Sequence, residues 1–97
     1  MIRTSPAYKA LRASEGIALS LKERNALVKK LKAEGFRQVR GSTRGFTALG
    51  SESLLILVIV SRPRKSSTTY EIDIKEAKSH NDLLKIANQV SRDMIFA

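Results

Sequence analysis

Hydrophobic positions in the first third of the chain recur with the spacing of an α-helix. They are Leu21, Leu27, Val28 and Leu31, and Arg24 falls on the same side. These residues share one side of a helix whose other side carries lysines. Ser20 and Glu23 have the spacing of a capping box, so this helix is expected to begin at Leu21 and to end at Gly35. A Ser-Pro pair predicts a shorter helix before it, over residues 6–13.

After Gly35 the period changes from helical to extended. Four segments are expected as strands because turn residues separate them: 36–40, 44–49, 53–61 and 68–74. The third segment has apolar residues on both faces, which predicts a central strand. The fourth alternates between apolar and polar residues, so one of its faces should meet solvent. A last amphipathic helix is expected over residues 80–94.

The predicted order of elements is α-α-β-β-β-β-α. We expect a single α+β domain over residues 1–97, with an N-terminal arm and short helix in residues 1–19 and the core in residues 20–97. Its antiparallel meander sheet is expected to carry the helices 21–34 and 80–94 on one face. Because successive hairpins of a meander alternate between the ends of the sheet, the first and third connections should meet at the same end.

Composition adds a regional charge to this picture. The formal net charge is +9 over 97 residues, and residues 36–67 alone contribute +5 because six basic residues stand against Glu52. The six are Arg37, Arg40, Arg44, Arg62, Arg64 and Lys65. Such a cluster raises the local positive potential and favours polyanions, so nucleic acid bound through its phosphates is the first expected partner. The other interpretation is a pair of solvated loops that protect the sheet from aggregation.

The residue types also exclude several kinds of chemistry. The chain has no cysteine, which excludes disulfides, thiolate metal sites and thiol nucleophiles. His80 is the only histidine and is expected at the exposed start of a helix, so we predict no metal, no cofactor and no catalysis. The apolar run 54–60 is far shorter than the roughly 20 residues of a membrane span, and we expect a cytoplasmic protein. Five aromatic residues and no tryptophan favour phosphate contacts over base stacking.

Two short stretches resemble nucleases. Glu71, Asp73 and Lys75 share one strand face, and the D-x-K triplet resembles the core of restriction-endonuclease-like enzymes, in which acidic residues bind magnesium and a lysine helps to activate water. That resemblance implies a further acidic residue on the preceding hairpin, where Glu52 is the nearest candidate. The alternative is a solvent-facing strand with cross-strand ion pairs.

Residues 27–36 (LVKKLKAEGF) and 39–42 (VRGS) resemble the opening of the HicA toxins. Those are small RNA-cleaving proteins with a double-stranded-RNA-binding-like α-β-β-β-α fold. The family's active histidine follows the Gly-Ser pair, and here that position is Thr43. The resemblance therefore implies a related architecture more than a shared activity.

We expect a small, non-catalytic, nucleic-acid-binding protein that uses a basic edge formed by Arg40, Arg44, Arg62, Arg64 and Lys65. A candidate from another class is an accessory or inhibitor protein, of the kind found in phages and mobile elements, that docks onto a larger nucleic-acid-processing enzyme. Its possible partner-binding residues are Tyr8, Leu11, Arg12 and Phe96. The apolar ones could equally complete the core. The choice between DNA and RNA, the strandedness and the oligomeric state stay open.

Overall fold

The computed structural model describes residues 3–41, 46–62 and 68–96, with only the backbone of residues 40–41 and 94–96. The helices are α1 (Pro6–Ala13), α2 (Leu21–Ala33) and α3 (His80–Phe96), and the strands are β1 (Arg37–Gly41), β2 (Phe46–Ser51), β3 (Ile56–Ser61) and β4 (Glu71–Glu76). The predicted order α-α-β-β-β-β-α is confirmed, and the chain is a small α+β domain.

The boundaries of α2 follow from local side-chain and backbone hydrogen bonds. The Ser20 hydroxyl accepts a hydrogen bond from the Glu23 N–H at 3.2 Å, and the Glu23 carboxylate accepts one from the Ser20 N–H at 3.1 Å. At the other end Gly35 takes a left-handed conformation with φ of 99°. The Phe36 N–H then donates to the Leu31 carbonyl at 3.0 Å. Both predicted ends are confirmed, and Phe36 enters the core.

The four strands form one antiparallel meander in the order β1-β2-β3-β4. One end of the sheet carries Gly41, Phe46, Ser61 and Glu71, and we call it the basic end. The opposite end carries Arg37, Ser51, Ile56 and Glu76, and we call it the turn end. The connections β1–β2 and β3–β4 both leave from the basic end, as predicted, and the β2–β3 turn closes the turn end.

The helices lie on both faces of the sheet, so the expected placement on one face is wrong. Alternate residues of β3 enter two separate clusters. Ile56, Val58 and Val60 pack with α1 and α2, whereas Leu57 and Ile59 pack with α3. All five side chains are buried. Because β3 is apolar on both sides, each face needs its own cover, and the amphipathic α3 covers the second one.

Strands β3 and β4 begin later than predicted. The Ser51 hydroxyl accepts a hydrogen bond from the Leu54 N–H at 3.2 Å, and the Ser51 carbonyl accepts one from the Leu55 N–H at 2.9 Å. These bonds hold residues 52–55 in a turn, so β3 starts at Ile56. Tyr70 precedes β4 and forms an isolated bridge with Leu19.

The segment between α1 and α2 covers the outer edge of β4. Gly16 donates to the Ile72 carbonyl at 3.2 Å, and Leu19 exchanges two backbone hydrogen bonds with Tyr70, both of 2.7 Å. The Glu15 carboxylate accepts a hydrogen bond from the Ile74 N–H at 2.9 Å. The N-terminal part is thereby docked onto the sheet and blocks pairing at this edge.

Candidate nucleic-acid interface

The basic end joins the two parts of the chain that carry most of the predicted binding residues. Gly41 pairs with Thr47, and Ser61 pairs with both Phe46 and Glu71, so the flanks of both connections are neighbours. Arg40 is the fourth residue of β1, and the partly buried Arg62 follows β3 directly. The predicted residues Arg44, Arg64 and Lys65 lie outside the described residues, as does the Arg40 side chain.

Arg37 does not belong to this group. It pairs with Gly50 at the turn end, because β1 begins there and runs toward the basic end. Its neighbours around a groove of about 250 Å³ include Glu52 and His80. Arg37 and Arg40 are three residues apart in sequence, but Arg37 lies at the turn end of β1 and Arg40 lies near the basic end.

The groove at the turn end contains the single histidine. His80 Nδ1 lies 3.6 Å from Glu52 Oε1, and both side chains are more than half exposed, at 54% and 67%. The Ser79 hydroxyl accepts a hydrogen bond from the Asp82 N–H at 3.1 Å and caps α3. The expectation that His80 is an exposed residue at the start of a helix is confirmed.

Two arginines near the turn end, Arg3 and Arg12, share one carboxylate. Glu76 Oε1 lies 2.8 Å from Arg3 Nη1 and 3.0 Å from Arg12 Nη2. Arg12 also donates to the Tyr8 hydroxyl at 3.0 Å, and Arg3 donates to the Leu54 carbonyl at 2.6 Å. The hydrogen bond from Arg3, with the charges of Arg3 and Arg12, lowers the pKa of the Glu76 carboxyl from its ordinary value.

This pairing predicts an acid-dependent loss of stability. Because the pKa of Glu76 is lowered in the folded state, its contribution is present above the ordinary carboxyl pKa of 4.5 and is lost as the pH falls through the folded value. Urea unfolding midpoints should fall on acidification through this range, and Glu76→Gln should show a smaller fall. Glu71→Gln on the same strand is the control. Equal acid dependence in both variants would contradict the role of Glu76.

Arg24 is a basic residue near the basic end that the sequence analysis did not single out. Its Nη2 donates to Thr47 Oγ1 at 2.7 Å, and its Nη1 donates to Asn25 Oδ1 at 2.9 Å. The guanidinium carbon lies 5.8 Å from the centre of the Tyr70 ring. Its position on the apolar side of α2, three residues before Leu27, was the signal in the sequence.

The residues predicted as partner anchors do not form an exposed patch. Tyr8 and Leu11 are 7% and 4% exposed and belong to the core, which was the alternative role considered for them. Arg12 is held by Tyr8 and Glu76. The Phe96 side chain lies outside the described part of the chain. Large exposed apolar side chains occur instead at Ile17, Leu21 and Leu84.

The strand face with the nuclease-like triplet carries an ion pair. Lys75 Nζ lies 3.1 Å from Asp73 Oδ2, and both side chains are about half exposed. Within the described ranges, no group of three or more histidine, aspartate or glutamate residues could hold a metal ion. Thr43, at the position of the HicA histidine, falls between described ranges.

Among the described residues, no helix is long and apolar enough to cross a membrane. Comparisons with protein-family models, with curated proteins and with solved structures found no match to this chain.

Proposed function

We propose that this protein binds nucleic acid by contacting phosphates at the basic end of its sheet. The observation that carries the proposal is the meander register, which directs both arginine-bearing connections to one end. The strand pairs that flank the two connections, β1–β2 and β3–β4, are centred two strand spacings apart, or about 10 Å at the usual spacing. That distance is close to the roughly 12 Å width of the major groove of DNA, so we expect the arginines of the two connections to contact phosphates on either side of one groove.

The charges at the two ends of the sheet support this assignment. At the turn end, Arg3 and Arg12 share the carboxylate of Glu76, and Arg37 lines the same groove as Glu52. Near the basic end, the contacts of Arg24 with described residues are all to neutral groups. Lys22, in the first turn of α2, is exposed. Cations that are not neutralised within the protein are the ones that can release counterions from nucleic acid.

The aromatic side chains favour phosphate contacts over base stacking. Tyr8, Phe36 and Phe46 are 7%, 3% and 3% exposed, and the partly buried Tyr70 ring lies beneath Arg24. These four are the aromatic side chains in the described part of the chain; three are buried, and Arg24 lies over the ring of the fourth. We therefore expect affinity to depend on salt much more strongly than on base sequence.

Removing two charges tests this site. Arg62→Ala combined with Arg64→Ala should weaken binding to all sequences alike, and the slope of log affinity against log salt should fall by roughly one to two. The charge-matched control is Lys78→Ala with Lys85→Ala, which removes two exposed lysines before and within α3. Fluorescence anisotropy gives both slopes. A slope unchanged in the Arg62 and Arg64 variant would show that the basic end is not the site.

A second candidate function is docking onto a larger protein. Ile17 and Leu21 are each 54% exposed and flank the segment that pairs with Tyr70. Exposed apolar groups beside a basic surface suit an acidic partner protein, such as a nucleic-acid-processing enzyme of a phage or mobile element. Nucleic-acid binding that disappears at physiological salt would favour this candidate. Either function is compatible with a cytoplasmic location, which we include in the proposal.

A further inference from the structure

We propose that Arg24, positioned by Thr47 and Tyr70, is a phosphate-binding residue. This inference deepens the proposed function and rests on it. It extends the site from the two sheet connections onto the α2 side of the sheet and assigns the ligand at this position as a phosphate of the nucleic-acid backbone.

The charge of Arg24 is not balanced by a described carboxylate. The side chain is partly buried between α2 and the sheet, and its described contacts are a hydroxyl, a side-chain amide and an aromatic ring. A cation removed from water is costly unless an opposite charge compensates it. The carboxylate of Glu23, its neighbour on α2, accepts a hydrogen bond from the Ser20 N–H in the capping box and not from Arg24. No described carboxylate forms an ion pair with Arg24, so its charge is available to a bound anion.

The Arg24 side chain is preorganised by its contacts with Thr47 and Tyr70. Thr47 is 7% exposed and lies in β2 between β1 and β3, so its hydroxyl is a fixed acceptor for Arg24. Tyr70 is fixed by its two backbone hydrogen bonds with Leu19. Within the described part of the chain, two of the five guanidinium N–H groups donate hydrogen bonds to protein groups. Those that remain have the planar arrangement that suits two phosphate oxygens.

The Arg24 side chain lies near the basic end of the sheet. Thr47 is the second residue of β2, opposite the last residue of β1, so Arg24 reaches the sheet close to the basic end. The bridge between Leu19 and Tyr70 holds the start of α2 at the same end. A phosphate at Arg24 would therefore belong to the same polymer that contacts the two connections.

The test compares Arg24→Gln, Arg24→Lys and the control Arg12→Gln. Arg12 is an arginine of another helix whose countercharge is internal. Anisotropy of a labelled DNA duplex should show about fivefold weaker binding for Arg24→Gln at about 150 mM salt, with a slope lower by about one. Arg24→Lys should keep the wild-type slope because it keeps the charge. Arg12→Gln should leave the slope unchanged, and thermal unfolding reports the folding of each variant.

The outcomes separate this inference from the proposed function. If Arg24→Gln lowers the melting temperature but binds with the wild-type slope, Arg24 only attaches α2 to the sheet and the inference is wrong, while the basic end stands as a binding site. If Arg24→Gln does not fold, a slope for Arg24→Lys that is lower by one would likewise overturn it, because charge is retained. If the wild-type protein binds no nucleic acid, both proposals fail together.

Discussion

Replacing Arg40, Arg44, Arg62 and Arg64 by glutamine should weaken nucleic-acid binding by about a thousandfold at 150 mM salt. Each phosphate contact that is lost removes roughly 0.9 from the slope of log affinity against log salt, so the slope should fall by about three to four. Because each charge adds to the same sequence-independent attraction, the loss should be similar for different base sequences.

The matched control removes four positive charges outside the basic end. It combines glutamine substitutions of Lys9, Arg37, Lys78 and Lys85. Arg37 matters most in this control, because it is three residues from Arg40 in sequence but starts β1 at the turn end. Equal losses of affinity in both variants would mean that binding depends on net charge and not on the basic end.

The second large effect concerns the two-sided core. Ile56→Ala and Leu57→Ala should each lower the free energy of unfolding by about 2 to 5 kcal/mol, because both side chains are buried and each change leaves a cavity. These neighbours face opposite sides of the sheet, Ile56 toward α1 and α2 and Leu57 toward α3. Urea unfolding measures both values.

The control for this pair is Lys75→Ala, on the β4 residue that pairs with Leu57. Lys75 is about half exposed, so its substitution should change stability by no more than about 0.5 kcal/mol. If Leu57→Ala cost as little as Lys75→Ala, α3 would not cover that face of the sheet, and the arrangement with helices on both faces would be wrong.

Helix boundaries could be predicted from the sequence because their causes are local. The capping box of Ser20 and Glu23 and the left-handed Gly35 act within four residues of the helix end they fix. The face of the sheet on which each helix packs depends on residues far apart in sequence, and it was predicted wrongly. The pattern of β3 did contain a signal, because a strand with apolar residues on both sides needs cover on both faces.

The candidate site could also be predicted only in part from the sequence. Meander geometry correctly brought the first and third connections to one end, because an antiparallel chain reverses at each hairpin. Arg37 was counted with the same charge cluster in the sequence, but the register puts it at the turn end, because a strand carries its first and last residues to opposite ends. Arg24 was missed because its contacts with Thr47 and Tyr70 join residues more than twenty positions apart.

The most direct test of the central claim is fluorescence anisotropy of labelled single-stranded and double-stranded DNA and RNA with the purified protein, at salt concentrations from about 50 to 200 mM. We predict binding with a steep salt slope that is still measurable at the highest salt, and an affinity that changes little with base sequence. Binding that is absent, or that is lost before physiological salt is reached, would contradict the assignment of the basic end to nucleic acid.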